Sequence, residues 1–221
     1  METALIIGAS GGIGSALAEA LAARGVAVTG VSRSADGLDL TDPGAAQQIL
    51  GALEGPFDLV VTATGALEID GALPEKSLDA IEAPALLNQF AINAIGPALA
   101  LRHALRLLPR DRPAVWATLT ARVGSIGDNR LGGWYGYRAA KAAANQIVRT
   151  ASIEIARTHP QAAVVALHPG TVATTFTEKY QGRHPAVSPD EAAENLLAVI
   201  GRLSASDTGK FFDWAGKNVP W

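Results

Sequence analysis

The chain has 221 residues, 48% of them hydrophobic, and its mean hydropathy is +0.19. A chain this apolar buries enough surface to fold, which excludes intrinsic disorder, and its length suits one large domain rather than two. The formal net charge of -3 argues against nucleic-acid binding, which usually needs a basic face. The absence of cysteine excludes disulfides, thiolate metal sites and cysteine nucleophiles.

Two apolar stretches bear on location. The run Ala4–Ile7 has no basic region before it and no cleavage site after it, so we expect no targeting segment and a cytoplasmic protein. The stretch Ala83–Leu101 carries no charge and is about as long as a membrane-spanning helix. It also contains amides and two prolines, which are costly to bury in a bilayer. We therefore expect a buried helix of the fold and no membrane partner.

Short β-rich apolar runs alternate with longer Ala/Leu-rich segments along the chain. This alternation predicts a doubly wound α/β fold in a single domain over residues 1–221, with a parallel sheet covered by helices on both faces. The expected strands are Thr3–Ile7, Ala27–Val31, Phe57–Thr62, Ala114–Leu119, Ala163–Leu167 and Lys210–Asp213. The expected helices are Ile13–Arg24, Pro43–Leu53, Ala83–Leu108, Gly136–Thr158 and Ser188–Leu203.

The turn after the first strand is dense in glycine. Open α/β sheets bind ligands beyond the carboxyl ends of their strands, and such a turn lets backbone amides approach a pyrophosphate at a helix N-terminus. The spacing differs from the dinucleotide pattern G-x-G-x-x-G, and the alternative is a tight turn whose glycines only permit positive φ. The expected cofactor contacts in this turn are Gly8, Ser10, Gly12, Ile13 and Gly14.

The residues after the second strand bear on the choice between nicotinamide cofactors. A carboxylate there would bind a ribose 2′-hydroxyl, whereas an arginine accommodates a 2′-phosphate. Here the strand is followed by Ser32-Arg33-Ser34, which favours NADP over NAD; the alternative is a solvated loop arginine. Asp39 follows within a few residues, and it either contacts the adenine or starts the next helix.

Tyr137 and Lys141 are spaced i, i+4 at the start of an Ala-rich helix. This spacing places the phenol and the ammonium on one face of the helix, about one turn apart. A nearby cation stabilises a phenolate and lowers the pKa of a tyrosine, so the pair is a candidate general acid/base. The alternative is an ordinary surface Tyr–Lys pair.

In chain order, the glycine turn, the Tyr137–Lys141 pair and the segment 169–174 resemble the short-chain dehydrogenase/reductase superfamily. Residues 121–126 and 132–138 look most like the branch that contains the C-factor signalling protein and the sniffer-type carbonyl reductases. The resemblance covers nearly the whole chain, and it implies a Rossmann-type fold, an NAD(P) cofactor and hydride transfer to or from a carbonyl carbon. It further implies that Tyr137 exchanges a proton with the substrate oxygen. Lys141 would contact the nicotinamide ribose and lower the pKa of the tyrosine.

Further roles follow from the resemblance alone. Asn93 matches the helix asparagine that supports a water-linked proton path; a helix amide satisfied by a neighbour is the alternative. The family's Asn-Asn-Ala-Gly segment appears here as Thr62-Ala63-Thr64-Gly65, so Thr64 and Gly65 are expected to line the cofactor. Pro169 and Gly170 are expected to turn the chain beneath the nicotinamide. Thr171 and Thr174 are expected to bond to its carboxamide or to phosphates; the alternative for both threonines is helix capping.

One departure from the family touches the chemistry. The serine that normally polarises the substrate carbonyl falls on Ala121, which has no hydroxyl. The nearby hydroxyls belong to Thr120 and Ser125, and we favour Ser125 as the replacement. The alternative is that both hydroxyls bond only to the local backbone.

Further expectations concern the rest of the chain. Residues 177–188 lie where the family carries a mobile substrate lid, and His184 within them is expected to be a solvent-exposed loop residue. The tail 211–221 contains two tryptophans and is expected to plug the core or to form a subunit contact. The long apolar helices suit the family's homodimers or homotetramers, and no His/Asp/Glu spacing suggests a metal site.

The leading hypothesis is an NADPH-dependent reductase of a small carbonyl compound. The alternative is a regulatory protein that binds NADP(H) and signals through a partner with little turnover, motivated by Ala121 and by the signalling branch. A sugar-nucleotide epimerase would also use the Tyr–Lys pair, but 221 residues leave no room for its additional substrate domain.

Overall fold

The structure is a computed structural model that describes residues 1–174, 176–177 and 186–221. Its six strands form one parallel sheet in the order β2-β1-β3-β4-β5-β6. The strands are β1 (Thr3–Ile7), β2 (Ala27–Val31), β3 (Leu59–Thr62), β4 (Ala114–Leu119), β5 (Ala162–His168) and β6 (Phe211–Asp213).

The strand order reverses at β1, which lies between β2 and β3. Ile7 at the end of β1 pairs with Val31 on one side and with Thr62 on the other, so three strands end at the same level. A crevice opens beyond the carboxyl ends of strands at such a reversal, and this is where doubly wound sheets bind their ligands.

Helices cover both faces of the sheet, and each face has its own apolar core. One core includes Leu50, Trp116 and Phe211, and the other includes Leu17, Val61 and Leu196. The helices are α1 (Gly12–Ala23), α2 (Arg33–Asp36), α3 (Pro43–Ala52), α4 (Ala83–Phe90), α5 (Gly96–Ala104), α6 (Tyr135–Ile155) and α7 (Pro189–Ile200).

The run Ala83–Leu107 is long and apolar enough, by length and composition, to cross a membrane. In the fold it packs against α3 and α6, and it buries the side chains of Ala100, Leu101 and Ala104. It is not one regular helix, because a π-helical turn at Ala91–Ile95 separates α4 from α5. Such turns often mark functional positions in a helix.

The predicted fold class is confirmed: the chain is a single doubly wound α/β domain. Three local predictions were wrong. The third strand begins at Leu59 rather than Phe57, because residues 53–58 are irregular. The helix predicted from Ala83 is interrupted by the π-helical turn, and the short helix α2 was not foreseen.

Candidate active site

A cavity of about 660 Å³ lies beyond the carboxyl ends of the strands. One end of it is formed by the glycine turn and the residues after β2, and the other by the residues after β4, the start of α6 and the segment after β5. Most of the expected site residues line it, namely Gly8, Ser10, Gly12, Ile13, Arg33, Asp39, Thr64, Gly65, Tyr137, Lys141, Pro169, Gly170, Thr171 and Thr174. Gly14, Asn93 and Ser125 do not line it.

The turn between β1 and α1 is shaped for close approach. Gly8 has φ +97°, and a Cβ at this residue would lie 3.0 Å from the backbone of Ala63. A Cβ at Gly12 would lie 2.7 Å from Thr174 Cγ2. Gly11, which precedes α1, offers no side chain that caps the helix, so the first amides of α1 are left to other partners. This is an anion-binding arrangement of helix N-terminus and glycine turn.

Gly14 was expected to contact the cofactor, but its place in the structure is different. A Cβ at Gly14 would lie 2.1 Å from the carbonyl oxygen of Gly8, a distance that no side chain tolerates. Gly14 therefore lets α1 pack directly on the turn, and it shapes the site without lining it.

The residues after β2 form a small polar cup. Ser32, Arg33 and Ser34 all line the cavity, and the two serine hydroxyls lie 3.4 Å apart. Arg33 has no ion-pair partner in the part of the chain that the structure describes, so its guanidinium is available to an anion.

Asp39 lines the cavity next to this cup. Its carboxylate accepts hydrogen bonds from the amide and the hydroxyl of Thr41, which hold the pKa of Asp39 below its usual value. The alternative that Asp39 starts the following helix was wrong, because Asp42 caps α3 by accepting from the amide of Gly44.

Tyr137 and Lys141 are both buried, with exposures of 6% and 3%. Lys141 Nζ lies 5.8 Å from the centroid of the Tyr137 ring and donates to the carbonyl oxygen of Leu119 at 3.5 Å. Burial raises the pKa of Tyr137 and lowers the pKa of Lys141 to about 8, because a dry site disfavours both charged forms. The pKa of Tyr137 in the protein alone is thus raised rather than lowered, and the phenol keeps its proton at neutral pH.

Asn93 sits in the π-helical turn and is fully buried. Its side-chain oxygen accepts from the amide of Ala66, and its side-chain nitrogen donates to the carbonyl of Ala66 and to Gln89. A Cβ at Gly65 would lie 2.9 Å from Asn93 Oδ1 and 3.1 Å from Lys141 Nζ. Asn93 thus clamps the segment after β3 beside Lys141, and Gly65 makes room for both side chains.

The two candidate hydroxyls lie in different surroundings. Thr120 lines the cavity, and its buried Oγ1 has no hydrogen-bond partner within residues 1–174, 176–177 and 186–221. The Ser125 hydroxyl donates to the carbonyl of Pro220 at 2.5 Å and accepts from the amide of Asp128. The structure therefore brings Thr120, and not Ser125, to the cavity, because the C-terminal tail engages Ser125.

His168 also lines the cavity, and it was not among the predicted site residues. His168 ends β5 and lies next to Asp213 on β6 and close to Arg122. Burial and the Arg122 charge lower the pKa of His168 to about 4. Arg122 itself pairs with Asp128 at 2.5 Å. The position of His168 directly before Pro169-Gly170 at a strand end was the available signal for it.

Aromatic rings flank the tyrosine. Trp134 and Phe176 each meet the Tyr137 ring edge to face, with centroids 6.2 Å away in both cases. Both side chains line the cavity. The predicted lid at 177–188 falls largely on residues 178–185, so His184 lies outside the described residues.

The C-terminal tail folds back on the molecule. Trp221 stacks on Phe211 of β6 with ring centroids 5.6 Å apart, and Val219 is buried. The tail thus extends the core, as expected, and also holds the loop after β4 through Ser125.

Comparison with known proteins identifies the family. A family model described as enoyl-(acyl carrier protein) reductase matches residues 8–203. The chain is a short-chain dehydrogenase/reductase. The recognition made from the glycine turn and the Tyr–Lys pair is therefore confirmed, and the family supports oxidoreductase activity.

Two relatives extend the comparison. The chain is 31% identical over 231 residues to 1-hydroxy-2-glutathionyl-2-methyl-3-butene dehydrogenase of a Rhodococcus species, and the match covers 100% of both chains. It is 33% identical over 171 residues to the C-signal protein of Myxococcus xanthus, covering 76% of this chain and 94% of that one.

Solved structures share the fold of this short-chain dehydrogenase/reductase. The carbonyl reductase Sniffer of Drosophila melanogaster has a TM-score of 0.82 at 19% identity, with full coverage of both chains. An NADPH-bound carbonyl reductase from chicken fatty liver has a TM-score of 0.84 at 22% identity, covering 100% of this chain and 99% of that one.

Proposed function

We propose that this protein is an NADPH-dependent reductase that converts a small carbonyl compound into an alcohol. The observation that carries the proposal is a single cavity that contains a glycine-rich anion turn at one end and the buried Tyr137–Lys141 pair at the other. The NADPH-bound carbonyl reductase of the same fold supports the cofactor and the substrate class.

The residues present fit an elongated dinucleotide. The N-terminus of α1 and the turn at Gly8–Ile13 would hold the pyrophosphate, since the turn lines the cavity and no side chain caps the helix. Ser32, Arg33 and Ser34 would hold a 2′-phosphate, which favours NADP over NAD. The buried hydroxyl of Thr64 has no hydrogen-bond partner in the described part of the chain and would gain one from the cofactor.

When bound, NADPH would supply the hydride that reduces the carbonyl carbon. In this reaction the carbonyl oxygen takes a proton from the Tyr137 hydroxyl, so that NADPH, one proton and the carbonyl compound become NADP⁺ and an alcohol. Burial keeps the Tyr137 phenol protonated at neutral pH, which is the form that donates, but the raised pKa also makes it a weaker acid, so a nearby positive charge is needed to stabilise the phenolate. The positive charge of Lys141, whose pKa is lowered to about 8, would stabilise the Tyr137 phenolate as it forms.

Thr120 would provide the second hydrogen bond to the carbonyl oxygen. Thr120 directly follows β4 and lines the cavity beside Ala121, where the family serine would stand, and its buried hydroxyl has no hydrogen-bond partner among the described residues. A preorganised donor at this position stabilises the negative charge that develops on the oxygen during hydride transfer.

A second candidate function is binding of NADP(H) as a signal, with little turnover. It is favoured by Ala121 in place of the family serine and by the similarity to the C-signal protein. This candidate expects NADPH binding without oxidation, and a biological activity that survives Tyr137→Phe.

The test is to follow NADPH oxidation against a panel of aldehydes, ketones and quinones. Tyr137→Phe is expected to lower kcat by about a hundredfold to ten-thousandfold, the contribution typical of a positioned general acid, with NADPH affinity kept. Tyr135→Phe is the matched control and is expected to behave as the wild type. No turnover on any compound, or turnover unchanged in Tyr137→Phe, would contradict the proposal. The cytoplasmic location and the homodimeric or homotetrameric assembly stay predictions.

A further inference from the structure

Glu75 is a buried carboxylate outside the cavity. It lies in the loop between β3 and α4, and only 6% of it is exposed. Glutamate is seldom buried unless its charge is hydrogen-bonded, because transfer of a carboxylate from water is costly. The partners of Glu75 therefore indicate what the residue does.

The first partner is the start of α6. The Gly136 amide, in the first turn of this helix, donates to Glu75 Oε2 at 3.1 Å. The side chain of Trp134, at the N-cap of α6, makes no capping hydrogen bond, and the first turn of the helix carries no acidic residue. A carboxylate supplied by a distant loop thus satisfies an orphan amide and complements the positive end of the helix dipole.

The residue at 136 is adapted to this contact. A Cβ at Gly136 would lie 2.8 Å from Glu75 Oε1 and 3.0 Å from Leu86 Cδ2. A side chain at residue 136 would therefore displace the Glu75 carboxylate from its present position. The residue that follows Gly136 is Tyr137, so Glu75 anchors the turn that carries the proposed proton donor.

The second partner is Trp134. Its backbone amide donates to the carbonyl oxygen of Glu75 at 2.5 Å. Trp134 has φ 53° and ψ 42°, a left-handed conformation that bulky residues adopt only when their surroundings impose it. The Trp134 side chain lines the cavity and meets the Tyr137 ring.

We propose that Glu75 is a positioning residue that fixes Trp134 and the first turn of α6, and thereby sets which carbonyl compounds fit beside Tyr137. The inference rests on the proposed function, since it concerns the substrate side of the same cavity. Glu75 itself does not line the cavity, and it acts through Trp134 and Gly136.

The kinetic test is a ratio that does not depend on the fraction of folded protein. We would compare kcat/KM for a bulky aromatic ketone with kcat/KM for a small aliphatic aldehyde. Glu75→Ala is expected to change this ratio about tenfold, the scale on which a pocket wall discriminates between substrates. Trp134→Ala should change it similarly, and the double variant should add nothing further, because both act through one wall.

Two variants separate positioning from general damage. Glu75→Gln keeps an oxygen that accepts from Gly136 and is expected to retain the wild-type ratio within about threefold. Glu82→Ala removes an exposed glutamate of the same loop, whose side chain caps nothing, and should leave the ratio unchanged. An unchanged ratio in Glu75→Ala, or additive effects in the double variant, would overturn the proposal.

An independent measurement needs no substrate. Hydrogen exchange of the Gly136 amide should be at least about tenfold faster in Glu75→Ala than in the wild type, and near the wild-type rate in Glu75→Gln. An unchanged Gly136 exchange rate in Glu75→Ala would overturn the positioning role. If the wild type turns over no carbonyl compound while this exchange still responds, the proposed function fails and the structural anchor stands.

Discussion

The two ends of the cavity are built in different ways. At the cofactor end, the glycine turn and the Ser32–Ser34 cup are each one short stretch of chain that directly follows a strand. At the substrate end, the side chains are held by partners far away in sequence. Glu75 binds Gly136 across 61 residues, and Ser125 binds Pro220 across 95.

The two ends also differ in their ionisable groups. Arg33 and Asp39 at the cofactor end remain accessible to water, whereas Tyr137, Lys141 and His168 at the substrate end are largely buried. Burial shifts pKa values, so the pH dependence of the protein should arise at the substrate end. One end of the cavity is thus encoded by local sequence, whereas the other depends on contacts between distant segments.

The largest expected effect concerns the hydroxyl at the substrate end. Thr120→Val removes the hydroxyl and keeps the shape, and it should lower kcat by about two to three orders of magnitude, as loss of an oxyanion donor does. Steady-state kinetics with saturating NADPH measure this. A wild-type kcat in Thr120→Val, together with a large loss in Ser125→Ala, would restore Ser125 as the polarising residue.

The next effect is acid sensitivity caused by His168. The pKa of His168, about 4, lies below the ordinary value of 6.5. Between these two pH values, His168 is protonated in the unfolded chain but neutral in the folded protein. Stability should therefore fall with the pH across this window, by at most about 3 kcal/mol, and should be regained as the pH rises above it. Urea unfolding of the wild type and His168→Asn would show a smaller loss in the variant; equal losses would contradict this origin.

The cofactor end is tested by a charge reversal. Arg33→Asp should shift the preference from NADPH toward NADH by about tenfold to a hundredfold, since a hydrogen bond to a charged group contributes about 1.5–3 kcal/mol. Dissociation constants for both cofactors give the result. Arg102→Asp on α5, outside the cavity, makes the same change in net charge and should leave the preference as it is. Equal affinities before and after Arg33→Asp would show that Arg33 is not involved.

The smallest effect is structural. Ser125→Ala removes the bonds to Pro220 and Asp128, and it should lower the free energy of unfolding by about 1 kcal/mol, the net contribution of a hydrogen bond. Chemical denaturation measures the loss, and kcat should stay unchanged. A fall in kcat without a fall in the free energy of unfolding would contradict this structural role of Ser125.

The sequence predicted the features that depend on neighbouring residues. Strands such as Ala114–Leu119 are continuous apolar runs, and the glycine turn follows its strand directly, so both were visible from pattern alone. The Rossmann-type fold class and the position of Tyr137 beside Lys141 followed from the alternation of strands and helices, the family resemblance and helical spacing.

The features that were missed depend on contacts between distant segments. Ser125 is held away from the cavity by its bond to Pro220, which no local pattern connects to Ser125. Glu75 resembles any loop glutamate until the fold brings it to the Gly136 amide. The π-helical turn around Asn93 has no periodicity of its own in this apolar segment.

The most direct test of the account is a crystal structure with NADP and a carbonyl compound bound. The account predicts the 2′-phosphate between Ser32 and Ser34, and the carbonyl oxygen within about 3 Å of the hydroxyls of both Tyr137 and Thr120, the reach of a hydrogen bond. A carbonyl oxygen out of reach of Tyr137, or a nicotinamide at the opposite end of the cavity, would contradict it.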